Sequence, residues 1–122
     1  MAKTILVIDD ERVTQKLIVM VLKRGGNEVL AASSVAEALD ILNNNAVDLI
    51  TCDLMMPEQS GLDFLRIAKG NAALKNIPVV VVSAAGYKSE LDEARHLGAA
   101  EVVTKPFSPS DLSQAVAKYL AG

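Results

Sequence analysis

Aromatic side chains are scarce: the 122 residues include no tryptophan, two tyrosines and two phenylalanines. Base stacking needs rings and phosphate tracking needs a cationic surface. Here 12 Lys and Arg face 15 Asp and Glu, the net charge is -3, and the cations are scattered rather than striped. That balance argues against nucleic acid as a direct partner. Cysteine is nearly absent too. The single Cys52 excludes an internal disulfide framework and a multi-cysteine zinc site, as a reducing compartment would lead one to expect. No apolar run approaches the roughly 18 residues of a membrane span, and the run after Lys3 stops at Asp9. A cytoplasmic protein without membrane contact is expected. What remains is 51% hydrophobic and fits one domain over residues 1–122. A chain of this size buries somewhat under about 70% of its unfolded surface, enough for a core without staples.

Short apolar runs recur: Ile5-Leu6-Val7-Ile8, Leu49-Ile50-Thr51-Cys52, Val79-Val80-Val81-Val82 and Ala100-Glu101-Val102-Val103. They are too short for helices, and their apolar faces on both sides suit strands of a parallel sheet covered above and below. Glu28-Val29-Leu30-Ala31 is more mixed and predicts an edge strand. Helical spacing fills the intervals: Val13, Leu17, Ile18, Val21 and Leu22; Val35, Ala38, Leu39 and Leu42; Leu62, Leu65 and Ala68; Leu91, Ala94 and Leu97; Leu112, Ala115, Val116 and Tyr119. Helix starts are marked by Ser34, Ser60, Ser89 and Ser108, each three residues ahead of Glu37, Asp63, Asp92 or Asp111. Pro109 suits a first helical position, and Gly25-Gly26, Gly70 and Gly98 mark stops. Strand and helix alternate five times, which predicts an α/β fold with right-handed crossovers and a doubly wound parallel sheet.

Ligands of such sheets bind along the edge formed by the strand C-termini. The residues just after each run are therefore informative: Asp9-Asp10-Glu11, then Asp53, then Ser83, then Thr104-Lys105-Pro106, whereas Ala32-Ser33 offers nothing comparable. Clustered carboxylates repel unless a cation sits among them. Hard oxygen ligands with room for water suit Mg²⁺. A lysine and a serine opposite would complete a clamp on a transferring phosphoryl group, with a carboxylate as nucleophile. Neither a GxxxxGK[ST] loop nor a GxGxxG sequence comes after the first strand, so neither a Walker-type NTPase nor a dinucleotide site is supported.

Together Val7-Ile8-Asp9-Asp10-Glu11, Asp53-Leu54-Met55-Met56-Pro57 with Gly61, Val82-Ser83-Ala84, and Lys105-Pro106-Phe107 resemble the receiver domain of two-component response regulators, over nearly the whole chain. The resemblance implies a flavodoxin-like five-stranded sheet in the order 2-1-3-4-5. It implies Asp53 as phosphoacceptor, Asp10 as a direct Mg²⁺ (or Mn²⁺) ligand, Asp9 as an acid acting mostly through water, and the backbone carbonyl of Met55 as the remaining protein ligand. Lys105 would contact a phosphoryl oxygen, Ser83 would be the hydroxyl that turns inward on phosphorylation, and small Ala84 would leave the aspartate accessible. The Lys105-Pro106 bond would be cis. The donor would be a sensor histidine kinase or a histidine phosphotransfer protein, and the output face would comprise residues 89–98, 100–103 and 110–120. A stand-alone phosphorelay or signalling receiver is expected, monomeric or dimerising on phosphorylation, and not an enzyme beyond its own phosphorylation and autodephosphorylation.

Two departures qualify the pattern. Val102 stands where many relatives carry a ring that rotates on activation, so coupling would pass through Ser83 and the backbone of residues 84–87, with Gly86 supplying torsional freedom. Met55 and Ala85 flank the approach of hydrolytic water in such domains, and neither can orient it, which predicts a persistent acyl phosphate. A pseudo-receiver is disfavoured by the intact acids, Ser83 and Lys105. A phosphoester hydrolase is disfavoured because Met55 stands where an acid-base aspartate would be needed. Cys52 is expected to fill core, and His96 to lie on the surface.

Overall fold

The computed structural model describes residues 2–84 and 88–120. Five strands, β1 (Thr4–Ile8), β2 (Glu28–Ala32), β3 (Leu49–Cys52), β4 (Val79–Ala84) and β5 (Glu101–Lys105), alternate with α1 (Arg12–Arg24), α2 (Val35–Asn44), α3 (Gly61–Lys69), α4 (Lys88–His96) and α5 (Pro109–Leu120). All strand pairs are parallel, and the order is β2-β1-β3-β4-β5. This is the doubly wound parallel sheet that the alternation predicts, in the flavodoxin-like order that the resemblance implies.

Successive strand residues point to opposite faces, and the core divides accordingly. Leu6, Ile8, Ile50, Cys52, Val79 and Val81 pack with Val35, Ala38, Phe64, Leu65, Leu91 and Ala94, beneath α2, α3 and α4. Ile5, Val7, Leu49, Val80 and Val82 pack with Ile18, Val21, Leu22, Leu112, Ala115 and Val116, beneath α1 and α5. The continuously apolar strands thus serve two cores at once. Tyr119 pins α5 to β5, its hydroxyl 2.7 Å from the Ala100 carbonyl oxygen and 2.8 Å from the Glu101 carboxylate. No helix among the described residues is long and apolar enough to cross a membrane.

Several expectations change in detail. Val13 and Leu17 share the helical period but face solvent, at 77% and 39% exposure; the buried face of α1 is Ile18, Val21 and Leu22. Three of the predicted caps form: Ser34 and Ser108 accept from the backbone N–H groups of Glu37 and Asp111, and Ser60 with Asp63 makes a reciprocal capping box. Ser89 does not cap, because α4 already begins at Lys88 and the Ser89 hydroxyl donates to Glu90. The β4–β5 ladder runs on through Ser83↔Thr104 and Ala84↔Lys105. Ser83 and Lys105 therefore belong to the strands themselves, and β5 is an edge strand like β2.

Candidate functional site

The ladder holds Asp9 and Asp53 in place. The Asp9 N–H donates to the Ala32 carbonyl at 3.0 Å, and the Asp53 N–H to the Ile8 carbonyl at 3.0 Å. Both aspartates thus continue their strands by one hydrogen bond and share the C-terminal edge. Carboxylate oxygens of Asp9, Asp10 and Asp53 lie within 4.8 Å of one another, Asp10 exposed and the other two buried. Asp53 Oδ1 accepts the Met55 N–H at 3.2 Å. Lys105 Nζ, carried by the last residue of β5, is 3.4 Å from Asp53 Oδ2 and 3.8 Å from Asp9 Oδ2. The Lys105–Pro106 bond is cis.

Burial decides the chemistry of Asp9. Its side chain is almost wholly enclosed, and desolvation pushes its carboxyl up to about 6, with the Glu11 N–H opposing that rise and the neighbouring Asp53 adding to it. Cys52 is buried beside the same edge and its thiol is pushed upward, first by desolvation, so it remains a protonated core filler.

Asp10, Glu11, Asp53, Met55, Ser83 and Lys105, with Ala84, line a cleft of about 290 Å³. A larger groove of about 590 Å³ runs between α1 and Ala31 of β2. It holds no carboxylate and no hydroxyl, so the chemistry belongs to the smaller cleft. Among the described residues, three buried side-chain oxygens lack a hydrogen-bond partner: Asp9 Oδ2 and Ser83 Oγ at this edge, and Thr51 Oγ1 within β3. Unpaired buried polar atoms are costly and uncommon, and two of the three belong to residues of this edge. Three carboxylates against one ammonium leave negative charge that a divalent cation would neutralise, and an all-oxygen donor set suits a hard ion such as Mg²⁺. The residues present therefore fit such an ion.

The β3–α3 loop is shaped by a close approach. A Cβ on Gly61 would lie 2.3 Å from the Asp53 carbonyl oxygen and 2.8 Å from Leu54 Cα, while the Gly61 N–H donates to the Leu54 carbonyl at 3.0 Å. No side chain fits there, so this glycine lets the loop bearing Asp53 fold back onto the start of α3. Val102 is half-buried and packs against the α2-α3-α4 core, away from the cleft. Ala85, Gly86 and Tyr87 lie outside the described residues, so the expectations placed on them have no structural counterpart here.

The family profile for the response regulator receiver domain matches residues 5–117. The chain belongs to the receiver-domain family. The phosphate regulon transcriptional regulatory protein PhoB of Klebsiella pneumoniae is 37% identical over 112 residues, covering 92% of this receiver and 49% of PhoB. This chain thus spans about half the length of that relative. The polar-differentiation response regulator DivK of Brucella ovis is 30% identical over 120 residues and 98% of each chain. Among solved structures, a putative response regulator from Chloroflexus aurantiacus superposes over the whole of both chains with a TM-score of 0.95 at 29% identity. Membership in this family makes the receiver a module of two-component signalling.

Proposed function

We propose that this receiver accepts a phosphoryl group from the phosphohistidine of a sensor kinase or histidine phosphotransfer protein onto Asp53, and relays the phosphorylated state by binding a further protein. The observation that carries the choice of acid is the placement of Asp53. It alone directly follows the strand between β1 and β4, lines the cleft and lies 3.4 Å from the Lys105 ammonium. In the transfer a P–O bond forms to an Asp53 carboxylate oxygen as the donor's P–N bond breaks, and the imidazole nitrogen keeps that electron pair and takes up a proton. Lys105 would hold a phosphoryl oxygen, and the unpaired Ser83 hydroxyl would donate to another.

Asp9, Asp10, Asp53 and the Met55 carbonyl would hold Mg²⁺ or Mn²⁺. The ion would supply charge neutralisation for the phosphoryl oxygens and the clustered acids. Met55 is half-exposed at the rim and offers no hydrogen bond to orient an attacking water, which favours a long-lived acyl phosphate. Residues 1–122 form one receiver unit in this reading, at work in the cytoplasm. Its output passes through α4, β5 and α5, as a monomer or a phosphorylation-dependent dimer.

The test is intact mass after incubation with Mg²⁺ and a small phosphodonor such as acetyl phosphate. The parent gains one hydroxylamine-labile phosphoryl adduct, and Asp53→Asn gains none while keeping its circular dichroism. A full, labile adduct on Asp53→Asn would move the acceptor to Asp9 or Asp10.

A further inference from the structure

We propose that Gln15 is a positioning residue for the acid cluster: its side-chain amide fixes the Asp9-Asp10 peptide so that Asp10 is already aimed at the cation it would share with Asp9 and Asp53. The proposal rests on reading that cluster as a divalent-cation site.

Gln15 stands one turn into α1, half-buried, directly behind the acidic turn. Its Nε2 lies 2.9 Å from the Asp9 carbonyl oxygen, 3.0 Å from the Ala32 carbonyl oxygen and 3.3 Å from Ser33 Oγ. A carboxamide has two N–H groups, and the two shorter contacts account for both. The Ala32 carbonyl also accepts the Asp9 N–H. One side chain therefore ties the ends of β1 and β2 to α1 at the point where the metal acids begin.

Peptide planarity turns that tie into a brace. Holding the Asp9 carbonyl against Gln15 fixes the plane of the Asp9-Asp10 peptide, and with it the direction in which Asp10 leaves the strand. Asp10 needs such help. It is exposed, no donor reaches its carboxylate among the described residues, and two other carboxylates lie within 4.8 Å. Without a cation, repulsion drives it toward water. A brace on its backbone resists that drift and lowers the cost of assembling the site. β2 thereby takes part in the site through the carbonyl of Ala32, although it contributes no reactive side chain.

The experiment measures Mg²⁺ affinity of the full chain by isothermal titration, in about 0.5 M KCl to screen added charge. Gln15→Met keeps the length of the side chain and removes both donors. Its Kd for Mg²⁺ is expected to rise about tenfold, the lower end of what outer partners of metal ligands contribute, with the fold intact by circular dichroism in EDTA. With acetyl phosphate, the Mg²⁺ concentration for half-maximal phosphorylation rises in step, and the rate at saturating Mg²⁺ stays within about twofold of the parent. Should Gln15→Met not fold, Gln15→Glu decides: it lacks the donors yet adds a charge that by itself attracts a cation, so weaker binding supports the brace. A parent that binds no Mg²⁺ overturns the cation-site reading and this proposal with it. A parent that binds normally, beside a folded variant of unchanged Kd or one whose loss persists at saturating Mg²⁺, overturns the role of Gln15 alone.

Discussion

At the scale of single residues, Asp9 shows what enclosing a carboxylate costs. Its carboxyl titrates near 3.8 in an ordinary setting and is pushed up to about 6 in the folded chain. Between those values the folded state holds a proton that the unfolded chain has released. The contribution of Asp9 is thus fully present below about pH 4 and is lost as the pH rises through 6. Above that, the ionised, enclosed carboxylate costs roughly 1–3 kcal/mol without metal. In EDTA, Asp9→Asn is expected to be more stable than the parent near pH 7 by that order, the two converging below about pH 4. Urea denaturation at several pH values checks this, and a difference that does not change with pH would refute it. Excess Mg²⁺ should stabilise the parent more than the variant, because a ligand that binds only the folded state stabilises it by mass action.

At the scale of elements, the helix caps and the Asp53 loop carry distinguishable loads. Ser108 accepts the Asp111 N–H at the start of α5, whereas Ser89 sits within the first turn of α4 and, among the described residues, bonds only a neighbouring carboxylate. Ser108→Ala is expected to cost about 1 kcal/mol and Ser89→Ala less than about 0.5, as read from paired denaturation curves; equal costs would show that Ser89 caps after all. Gly61→Ala must displace the backbone at Asp53 and Leu54, an overpacking expected to cost about 1–3 kcal/mol and to slow phosphorylation by acetyl phosphate beyond what the lost stability explains. The strands, their buried faces and the acids after β1 and β3 were legible because a buried parallel sheet forces continuous apolar runs, and its C-terminal edge gathers the residues next in the chain. Periodicity could not show that Val13 and Leu17 face water, since an apolar residue beside the core face has the same spacing as one on it. Nor could it reveal Gln15, whose partners are two main-chain carbonyls and a hydroxyl, or explain Gly61, whose role is the absence of a Cβ. The failed cap at Ser89 has the same origin: the spacing to Asp92 is right, but Lys88 and Ser89 are already inside α4.

For the whole molecule, the question is how a phosphoryl group on Asp53, as proposed, would alter a surface that binds a partner. Ser83 is fully buried on β4 with its hydroxyl unpaired among the described residues, and the β4–β5 ladder runs directly from Ser83 and Ala84 to Thr104 and Lys105. Any inward pull on that hydroxyl is therefore transmitted across the strand pair that supports α4. Among the described residues that helix is lightly held, burying Leu91 and Ala94, with one ion pair from Glu93 to Arg66 of α3. Exposed pairs of this kind contribute little, so a bias of a few kcal/mol suffices to shift such an element between two arrangements. Val102 supplies no ring to carry the change by another route, and in the proposed reading Ser83 is the hydroxyl among the described residues of the cleft that would couple it. Ser83→Ala removes an unsatisfied group and should leave stability close to that of the parent; losing a donor to the phosphoryl oxygens slows its phosphorylation, so the two proteins are compared at equal extent of phosphorylation by acetyl phosphate. In hydrogen exchange, phosphorylation is expected to change the protection of residues 88–96 in the parent and to leave them unchanged in Ser83→Ala. If both proteins respond alike, the signal leaves Asp53 by a path that does not involve this hydroxyl.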